Sequence, residues 1–149
     1  MDVCTLHGQD YMDRTRYNFT EHRHAISAEG VRGLSLSSLR IENSGGDGID
    51  LSGNLVDIEI RNVVATDNYR QGMSVISAVN MVVRDSIFQR TRGTPPESGV
   101  DFEPDYVGDR LSNITFINVS TIAYHGSGFS IWTGNLEDNG LPITLRFVD

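Results

Sequence analysis

Four short segments that begin with glycine recur along the chain and share one alternating pattern. In each of them apolar residues alternate with polar ones, as in a strand with one buried face. They are Gly48-Ile49-Asp50-Leu51, Gly72-Met73-Ser74-Val75, Gly99-Val100-Asp101-Phe102 and Gly128-Phe129-Ser130-Ile131, with a weaker echo at Ala25-Ile26-Ser27-Ala28. The glycines are spaced 24, 27 and 29 residues apart. A strand motif that returns at this period predicts a solenoid of stacked coils.

A second strand pattern follows each glycine-led segment and supports this prediction. It has two alternating apolar residues, a two-residue bend and two further apolar or small residues. The examples are Leu34-x-Leu36-x-x-Leu39-x-Ile41, Ile58-x-Ile60-x-x-Val63-x-Ala65, Met81-x-Val83-x-x-Ser86-x-Phe88 and Ile114-x-Phe116-x-x-Val119-x-Thr121. Polar turns separate these strands, and no helical period lies between them. An ordinary β-sandwich would not explain why the same two strands return in the same order.

We therefore predict an all-β fold, a single-stranded parallel β-helix of about five coils, right-handed because parallel crossovers favour that hand. Residues 24–149 would form the β-helix domain and residues 1–23 a lead-in segment. One internal stack should contain Ile49, Leu51, Met73, Val75, Val100, Phe102, Phe129 and Ile131. Two insertions, at 105–110 and 136–140, are expected to lengthen turns on one face and to wall a binding groove.

The glycine-led segments also resemble a known family. Ser44-Gly45-Gly46-Asp47-Gly48-Ile49, Arg70–Ala78 and Gly99–Pro104 look like right-handed parallel β-helix proteins of the pectate-lyase-like superfamily. Glu21–Ala25 resembles the opening of the first coil in bacterial carbohydrate-active members. The resemblance covers about residues 20–135. It implies the fold and no particular chemistry, because that superfamily contains lyases, hydrolases, epimerases and non-catalytic phage spikes, and the motifs typical of polygalacturonases and mannuronan epimerases are absent.

Charge and composition exclude several classes of partner. The 149 residues carry a net charge of −8, and all 12 basic residues are arginine. An acidic surface repels the phosphates of nucleic acids. No apolar run is long enough to insert into a membrane, and the single cysteine, Cys4, excludes an internal disulfide.

Both ends of the chain suggest a piece of a longer protein. The N-terminus lacks the charged-then-apolar order of a signal peptide, and the last residues read as part of a strand. No element with a helical stripe is present to cover the first coil. We therefore expect a segment of a secreted or cell-surface protein, which self-associates through the open ends of the solenoid.

Stacking in register places outward-pointing residues in two columns on the outer face. One column contains Ser27, Asp50, Ser74, Asp101 and Ser130, and the other contains Glu29, Ser52, Ile76, Glu103 and Trp132. Neighbouring coils are ~4.8 Å apart, so Asp50 and Asp101 would lie ~9.6 Å apart at the backbone. His24, Arg70 and Gln71 precede the same strands.

Carboxylates beside an aromatic ring suit a sugar polymer, since carboxylates bind hydroxyl groups and a ring face packs on a pyranose. We predict an extracellular polysaccharide as the partner. Asp50, Asp101 and Glu103 are the candidate catalytic residues, and His24, Arg70, Gln71 and Trp132 the candidate substrate contacts.

The reaction stays open at this point. Asp50 and Asp101 suit the ~6.5–9.5 Å of an inverting glycosidase. A uronate lyase or epimerase would instead use His24 or Arg70 as base, or Ca²⁺ held by Asp50, Asp101 and Glu103. No metal site or cofactor is otherwise indicated.

The alternative is a non-catalytic β-helix, which is a glycan-binding or structural module of a cell-surface or phage appendage. The outer residues of any solenoid are polar whatever its function. Trimerisation through outward apolar residues such as Ile76 would favour this second hypothesis, whereas a clustered charged groove would favour the first.

Overall fold

A computed structural model describes residues 3–11, 13–18, 20–136 and 140–149. Most of the turn expected at 136–140 lies outside these residues. The described residues form eleven strands and no helix, so none of their elements is a helix that could cross a membrane. The strands are β1 Cys4–His7, β2 Ile26–Glu29, β3 Arg32–Glu42, β4 Ile49–Ser52, β5 Leu55–Thr66, β6 Met73–Val75, β7 Ala78–Gln89, β8 Val100–Phe102, β9 Leu111–Ile122, β10 Phe129–Ile131 and β11 Leu145–Val148.

These strands build two parallel sheets in which every neighbour comes from the next coil. The six-stranded sheet has the order β1-β3-β5-β7-β9-β11, and the five-stranded sheet has the order β2-β4-β6-β8-β10. Short strands of the five-stranded sheet are the glycine-led segments, and long strands of the other sheet are the bent ones. The predicted right-handed parallel β-helix is confirmed. The lead-in segment contributes more to the fold than expected, because its strand β1 pairs with β3. The six-stranded sheet therefore starts before residue 24.

The register of the five-stranded sheet is the one that the sequence columns require. Ser27 pairs with Asp50, Asp50 with Ser74, Ser74 with Asp101, and Asp101 with Ser130. Because side chains alternate between the two faces of a strand, this register places the whole polar column on the outside of the solenoid and its apolar neighbours inside.

The core lies between the two sheets. Ile49, Leu51, Met73, Val75, Val100 and Phe102 are all completely buried, as predicted for the internal stack. Phe129 is partly buried and packs edge-to-face against Phe116. The prediction is wrong for Ile131, which is 52% exposed, because β10 is the last strand of its sheet and no further strand covers its side chain.

The leading glycines are required by a close approach between coils. A Cβ atom on Gly72 would lie 2.4 Å from the carbonyl oxygen of Gly99 and 2.8 Å from Cβ of Phe88. Equivalent Cβ atoms on Gly48 and Gly99 would meet the carbonyl oxygen of the next leading glycine at 2.6 and 2.7 Å. Those same carbonyl groups accept hydrogen bonds from the preceding coil, such as the 3.1 Å bond from the N–H of Met73 to Gly99. The recurring glycine is thus a packing requirement at the start of β4, β6 and β8.

The bend in each long strand is a residue in the left-handed helical region. Ser38, Asn62, Asp85 and Asn118 occupy equivalent positions with φ of 56°, 53°, 52° and 49°. Short polar side chains tolerate this conformation better than other non-glycine residues. They also link adjacent coils, since Nδ2 of Asn118 donates to Oδ1 of Asp85 at 2.8 Å. A second such column contains Asp57, Asn80 and Asn113, joined by bonds of 3.0 Å.

Gly72→Ala should test the close approach between coils. We expect the free energy of unfolding to fall by about 3 kcal/mol, the upper end of the usual cost of overpacking, because the new methyl group meets backbone atoms that cannot move aside. Gly108→Ala is the matched control, since a Cβ there meets nothing within 4 Å. Urea unfolding measures both. Equal stability of the two variants would contradict the packing argument.

Candidate functional site

A cleft of about 380 Å³ opens over the outer face of the five-stranded sheet. Four of the predicted site residues line it together, although they come from coils that are separated in sequence: His24, Asp50, Arg70 and Glu103. The parallel register produces this arrangement, because it stacks the start of each short strand on the start of the previous one. The predicted clustering of charged residues in a groove is therefore observed, from the residues just before β2 to those just after β8.

Arg70 lies at the centre of the cleft and is held by three carboxylates. Its Nη1 atom lies 3.2 Å from Oδ2 of Asp47, and its Nη2 atom donates to Oε2 of Glu103 at 3.1 Å. Nε lies 3.7 Å from Oε2 of Glu21. Burial disfavours the charged guanidinium, but the charges of Asp47, Glu103 and Glu21 outweigh that effect and raise the pKa of Arg70. The charge of Arg70 is therefore already compensated within the protein.

Asp47 joins this cluster to His24. Its carboxylate is completely buried and accepts a hydrogen bond from Oγ of Ser74 at 2.8 Å as well as the Arg70 contact. Neutral His24 accepts the backbone N–H of Asp47 through Nδ1 at 3.1 Å, and protonated His24 donates from the same atom to Oδ2 of Asp47 at 3.3 Å. Burial disfavours the imidazolium, but the hydrogen bond to Asp47 and the charges of Asp47 and Asp50 prevail, so the pKa of His24 is raised.

The surroundings of Glu103 disfavour its charged form on balance. Burial raises its pKa, and the neighbouring Asp101 raises it further by charge repulsion and by a hydrogen bond, while Arg70 acts in the opposite direction. The net pKa of Glu103 is raised above its ordinary value. Asp50 is only partly buried and accepts a hydrogen bond from Oγ of Ser27 at 3.0 Å. The carboxyl groups of Glu103 and Asp50 thus have different surroundings.

The cleft as a whole is strongly acidic. Burial and the charge of Glu103 also raise the pKa of Asp105, which lies on the insertion after β8. Three basic side chains, Arg70, His22 and His24, face five carboxyl groups on the cleft lining, namely Glu21, Asp47, Asp50, Glu103 and Asp105. Such an excess of carboxyl groups repels anionic ligands and favours ligands that donate hydrogen bonds.

Three of the predicted site residues are not part of the cleft surface. Asp101 is 1% exposed and lies beneath Glu103, so its carboxyl group acts on Glu103 and cannot reach a ligand in this conformation. Gln71 is completely buried, and neither of its side-chain polar atoms has a hydrogen-bond partner among the described residues. Gln71 therefore does not line the cleft, although Asp47 at the same position of the preceding coil does.

Trp132 is in register with Glu103 but lies beyond the cleft. Its backbone N–H donates to the carbonyl oxygen of Phe102 at 2.8 Å, which confirms the expected column. The indole ring is 51% exposed and packs against the backbone of Gly134, and it lines neither the 380 Å³ cleft nor the depression beside it. The structure therefore does not bring this ring to the acidic residues.

The residue that sequence reasoning missed is Asp47. It immediately precedes Gly48, and the equivalent positions in the neighbouring coils are His24, before Ala25, and Gln71, before Gly72. Backbone bonds from Ala25 to Asp47 and from Gly48 to the carbonyl of Gln71 confirm that this third column is in register. The available signal was a polar side chain at the same repeat position in three successive repeats.

The donor atoms in the cleft do not fit Ca²⁺. Of the proposed ligands Asp50, Asp101 and Glu103, the second is buried and the third is bound to Arg70. The side chains whose ligand atoms lie within 4.8 Å of one another are instead His24, Asp47 and Asp50. An imidazole nitrogen is a poor ligand for a cation that prefers oxygen, and the Asp47 carboxylate already accepts hydrogen bonds from Arg70 and Ser74. We therefore derive no reaction step through Ca²⁺.

Comparison with known proteins gives one match. A family model described as a right-handed β-helix region matches residues 5–141, which is most of the chain. The comparisons with curated proteins and with solved structures give no match. The match extends into the segment that contains β1, in agreement with the pairing of β1 and β3.

Removal of the Arg70 charge should destabilise the protein. Arg70→Gln leaves the buried Asp47 without its guanidinium partner, and breaking a buried ion pair in this way costs about 3–5 kcal/mol. Arg84→Gln is the control, since Arg84 pairs with Glu59 on the surface and both side chains are more than 40% exposed. That variant should lose less than about 1 kcal/mol. Urea unfolding of both variants decides the matter, and similar losses would disprove a central role for Arg70.

Stability should fall as pH rises through the raised pKa of His24. Protonated His24 is bound more favourably in the folded state than in the unfolded chain, so its contribution is complete below its ordinary pKa of 6.5 and disappears above its folded pKa. Unfolding midpoints measured from about pH 5.5 to about pH 8.5 should show this loss. His24→Gln should abolish that part of the dependence. His125→Gln, whose ring is exposed, should leave it intact, and an unchanged slope in His24→Gln would refute the argument.

Proposed function

Because the chain belongs to the right-handed β-helix family, we propose that it binds an extended, neutral polysaccharide outside the cell and hydrolyses it in the acidic cleft. The observation that supports this proposal is the pairing of Glu103, whose pKa is raised, with the partly exposed carboxylate of Asp50 in one cleft. Two carboxyl groups in different environments are the usual catalytic equipment of glycosidases.

The charge balance of the cleft favours a neutral polymer over a uronate. A lyase or epimerase must neutralise the carboxylate of its uronate substrate, and Arg70 is the arginine on the cleft lining. Its guanidinium is already bound by Asp47, Glu103 and Glu21, and further acidic groups surround it. A uronate would therefore meet net repulsion, whereas the hydroxyl groups of a neutral sugar would find many acceptors.

The proposed reaction uses Glu103 as general acid and Asp50 as general base. Glu103 gives its proton to the glycosidic oxygen as the bond from that oxygen to the anomeric carbon breaks. A water molecule attacks the same carbon from the other face and gives its proton to Asp50. Asp50 and Glu103 lie two coils apart (~9.6 Å) and are offset by two residues along the strands (~6.6 Å), so their backbones are about 12 Å apart. In the proposed reaction their side chains converge over the cleft to the ~6.5–9.5 Å between carboxyl groups that an inverting mechanism requires.

The neighbouring residues support these two roles. Arg70 holds Oε2 of Glu103 at 3.1 Å, which fixes the orientation of the acid. Asp101 lies beneath Glu103 and raises its pKa, so that the proton is retained to higher pH. Nδ1 of His24 is engaged by Asp47, which leaves Nε2 to bind a sugar hydroxyl group. In this proposal Asp101 and Arg70 are positioning residues and His24 is a substrate contact.

A non-catalytic glycan-binding module is the second candidate. The same acceptors would bind a neutral polymer without cleaving it, and a β-helix face serves either purpose. The structural variant of this candidate, in which coils associate through Ile76, has less support, because Ile76 is 9% exposed and lies on the floor of the cleft.

Cleavage assays on carboxyl variants test the proposed function. We expect a screen of neutral polysaccharides to yield new reducing ends with the parent protein. Glu103→Gln and Asp50→Asn should each lower the rate by at least ~10²-fold, since general acid–base catalysis contributes that much. Asp57→Asn, which removes a half-exposed carboxylate on the other sheet, should leave the rate unchanged.

Other results would point elsewhere. Full activity in both cleft variants would place the reaction outside this cleft. Unsaturated products from polyuronates, detected by their ultraviolet absorbance, would replace hydrolysis by elimination. Binding of a glycan without turnover would favour the non-catalytic module.

A further inference from the structure

A second depression of about 390 Å³ adjoins the acidic cleft. The two depressions share three lining residues, Ser52, Ile76 and Asp105. They therefore form one continuous groove, and each half lies within the ~300–1,000 Å³ that is usual for ligand pockets. The second half contains none of the groups to which the proposed reaction assigns a role.

The second half extends this groove along the strand direction. Around β4 its lining continues from Asp47 and Asp50 past Ser52 to Asn54. Asp50 and Ser52 are ~6.6 Å apart at ~3.3 Å per residue, and the chain then turns at Gly53 and Asn54. The insertion at 105–110 lines the same depression as Ile76 and walls the groove on one side.

The insertion is held firmly at the edge of the groove. Asp109 is 5% exposed. Its Oδ2 atom accepts hydrogen bonds from the backbone N–H of Asp105 at 2.9 Å and from that of Tyr106 at 2.8 Å. The N–H of Asp109 donates in return to the carbonyl oxygen of Tyr106 at 2.9 Å. The next residue, Arg110, donates its N–H to Oγ of Ser77 at 2.9 Å. The backbone of Tyr106 is thus fixed from both sides.

The side chain of Tyr106 lines the second half of the groove and is 73% exposed. A large aromatic ring normally packs against other side chains, and an exposed ring on an anchored loop is suited to contact a ligand. Glu29 and Asn54 line the same half of the groove, where Glu29 offers carboxylate oxygens and Asn54 an amide whose Oδ1 accepts a hydrogen bond from Oγ of Ser77. The ring and the acceptors together match the two faces of a sugar, which presents C–H groups to one side and hydroxyl groups around its edge.

We propose that Tyr106 is the stacking platform for a sugar ring at the end of the groove distant from Glu103, and that Asp109 is the positioning residue that holds the platform. This assignment rests on the proposed binding of a neutral glycan. It replaces Trp132, whose ring lines neither half of the groove. The glycan would lie along the strands, with one ring on Tyr106 and the reacting linkage between Asp50 and Glu103.

Binding of neutral oligosaccharides tests this proposal. Cellohexaose, xylohexaose, mannohexaose and maltohexaose are titrated calorimetrically into the parent protein, and the tightest is carried forward. Tyr106→Ala should weaken its binding about 10-fold, and Tyr106→Phe, which keeps the ring, should bind within about twofold of the parent. Trp132→Ala should also bind within about twofold of the parent. Equal unfolding midpoints confirm that the variants are folded.

Chemical modification provides a second readout that a merely structural role would not change. The same oligosaccharide should slow the nitration of Tyr106 by tetranitromethane, because a stacked sugar covers the ring. If the parent binds an oligosaccharide but Tyr106→Ala binds equally well and nitration is not slowed, the platform assignment is overturned and the proposed function stands. If the parent binds none of the four, the proposed function fails and the platform assignment fails with it.

Discussion

The close stacking of one coil's backbone on the next is the constraint on which the rest of this structure depends. At the start of β4, β6 and β8, the backbone approaches the following leading glycine so closely that a Cβ atom would collide with its carbonyl oxygen. Glycine permits the hydrogen bond that closes this contact. With the coils locked in phase at that point, side chains of equivalent positions stack in columns, inside and outside the solenoid alike.

Stacked columns of residues have different effects on the inner and outer faces of the solenoid. Inside, stacked apolar residues form a continuous core, which is the main source of stability in a solenoid. Outside, stacking brings charged residues of distant sequence positions within contact distance. The ion pairs of Arg70 join it to Asp47 and Glu103, which flank the neighbouring short strands β4 and β8. These pairs exist only because the coils are in phase. The site is therefore a product of register.

The charged cluster also shows how a structural contact and a chemical role can share one residue. Arg70 compensates the buried Asp47, and in doing so it is no longer available to bind an anionic substrate. The same guanidinium orients Glu103, whose pKa is nevertheless raised by burial and by Asp101. Because the charge of Arg70 is compensated by its partners, the cleft remains acidic. The proposed preference for neutral sugars rests on this charge balance more than on the fold.

The sequence by itself determined the architecture, because a repeated pattern of apolar and polar residues has one periodic solution in which all copies are buried alike. The sequence was sufficient to predict the two strands of each coil, the column from Ser27 to Ser130 and most of the internal stack. It also identified Asp50, Glu103, Arg70 and His24, since outward positions follow from alternation.

Only the tertiary structure decided what each polar side chain meets. Asp101 and Gln71 are buried, Asp47 is a partner of Arg70, and Tyr106 lies beside the groove where Trp132 had been expected. The physical reason is that insertions do not repeat: the path of the 105–110 loop depends on capping bonds from Asp109 and Ser77, and periodicity contains no information about them.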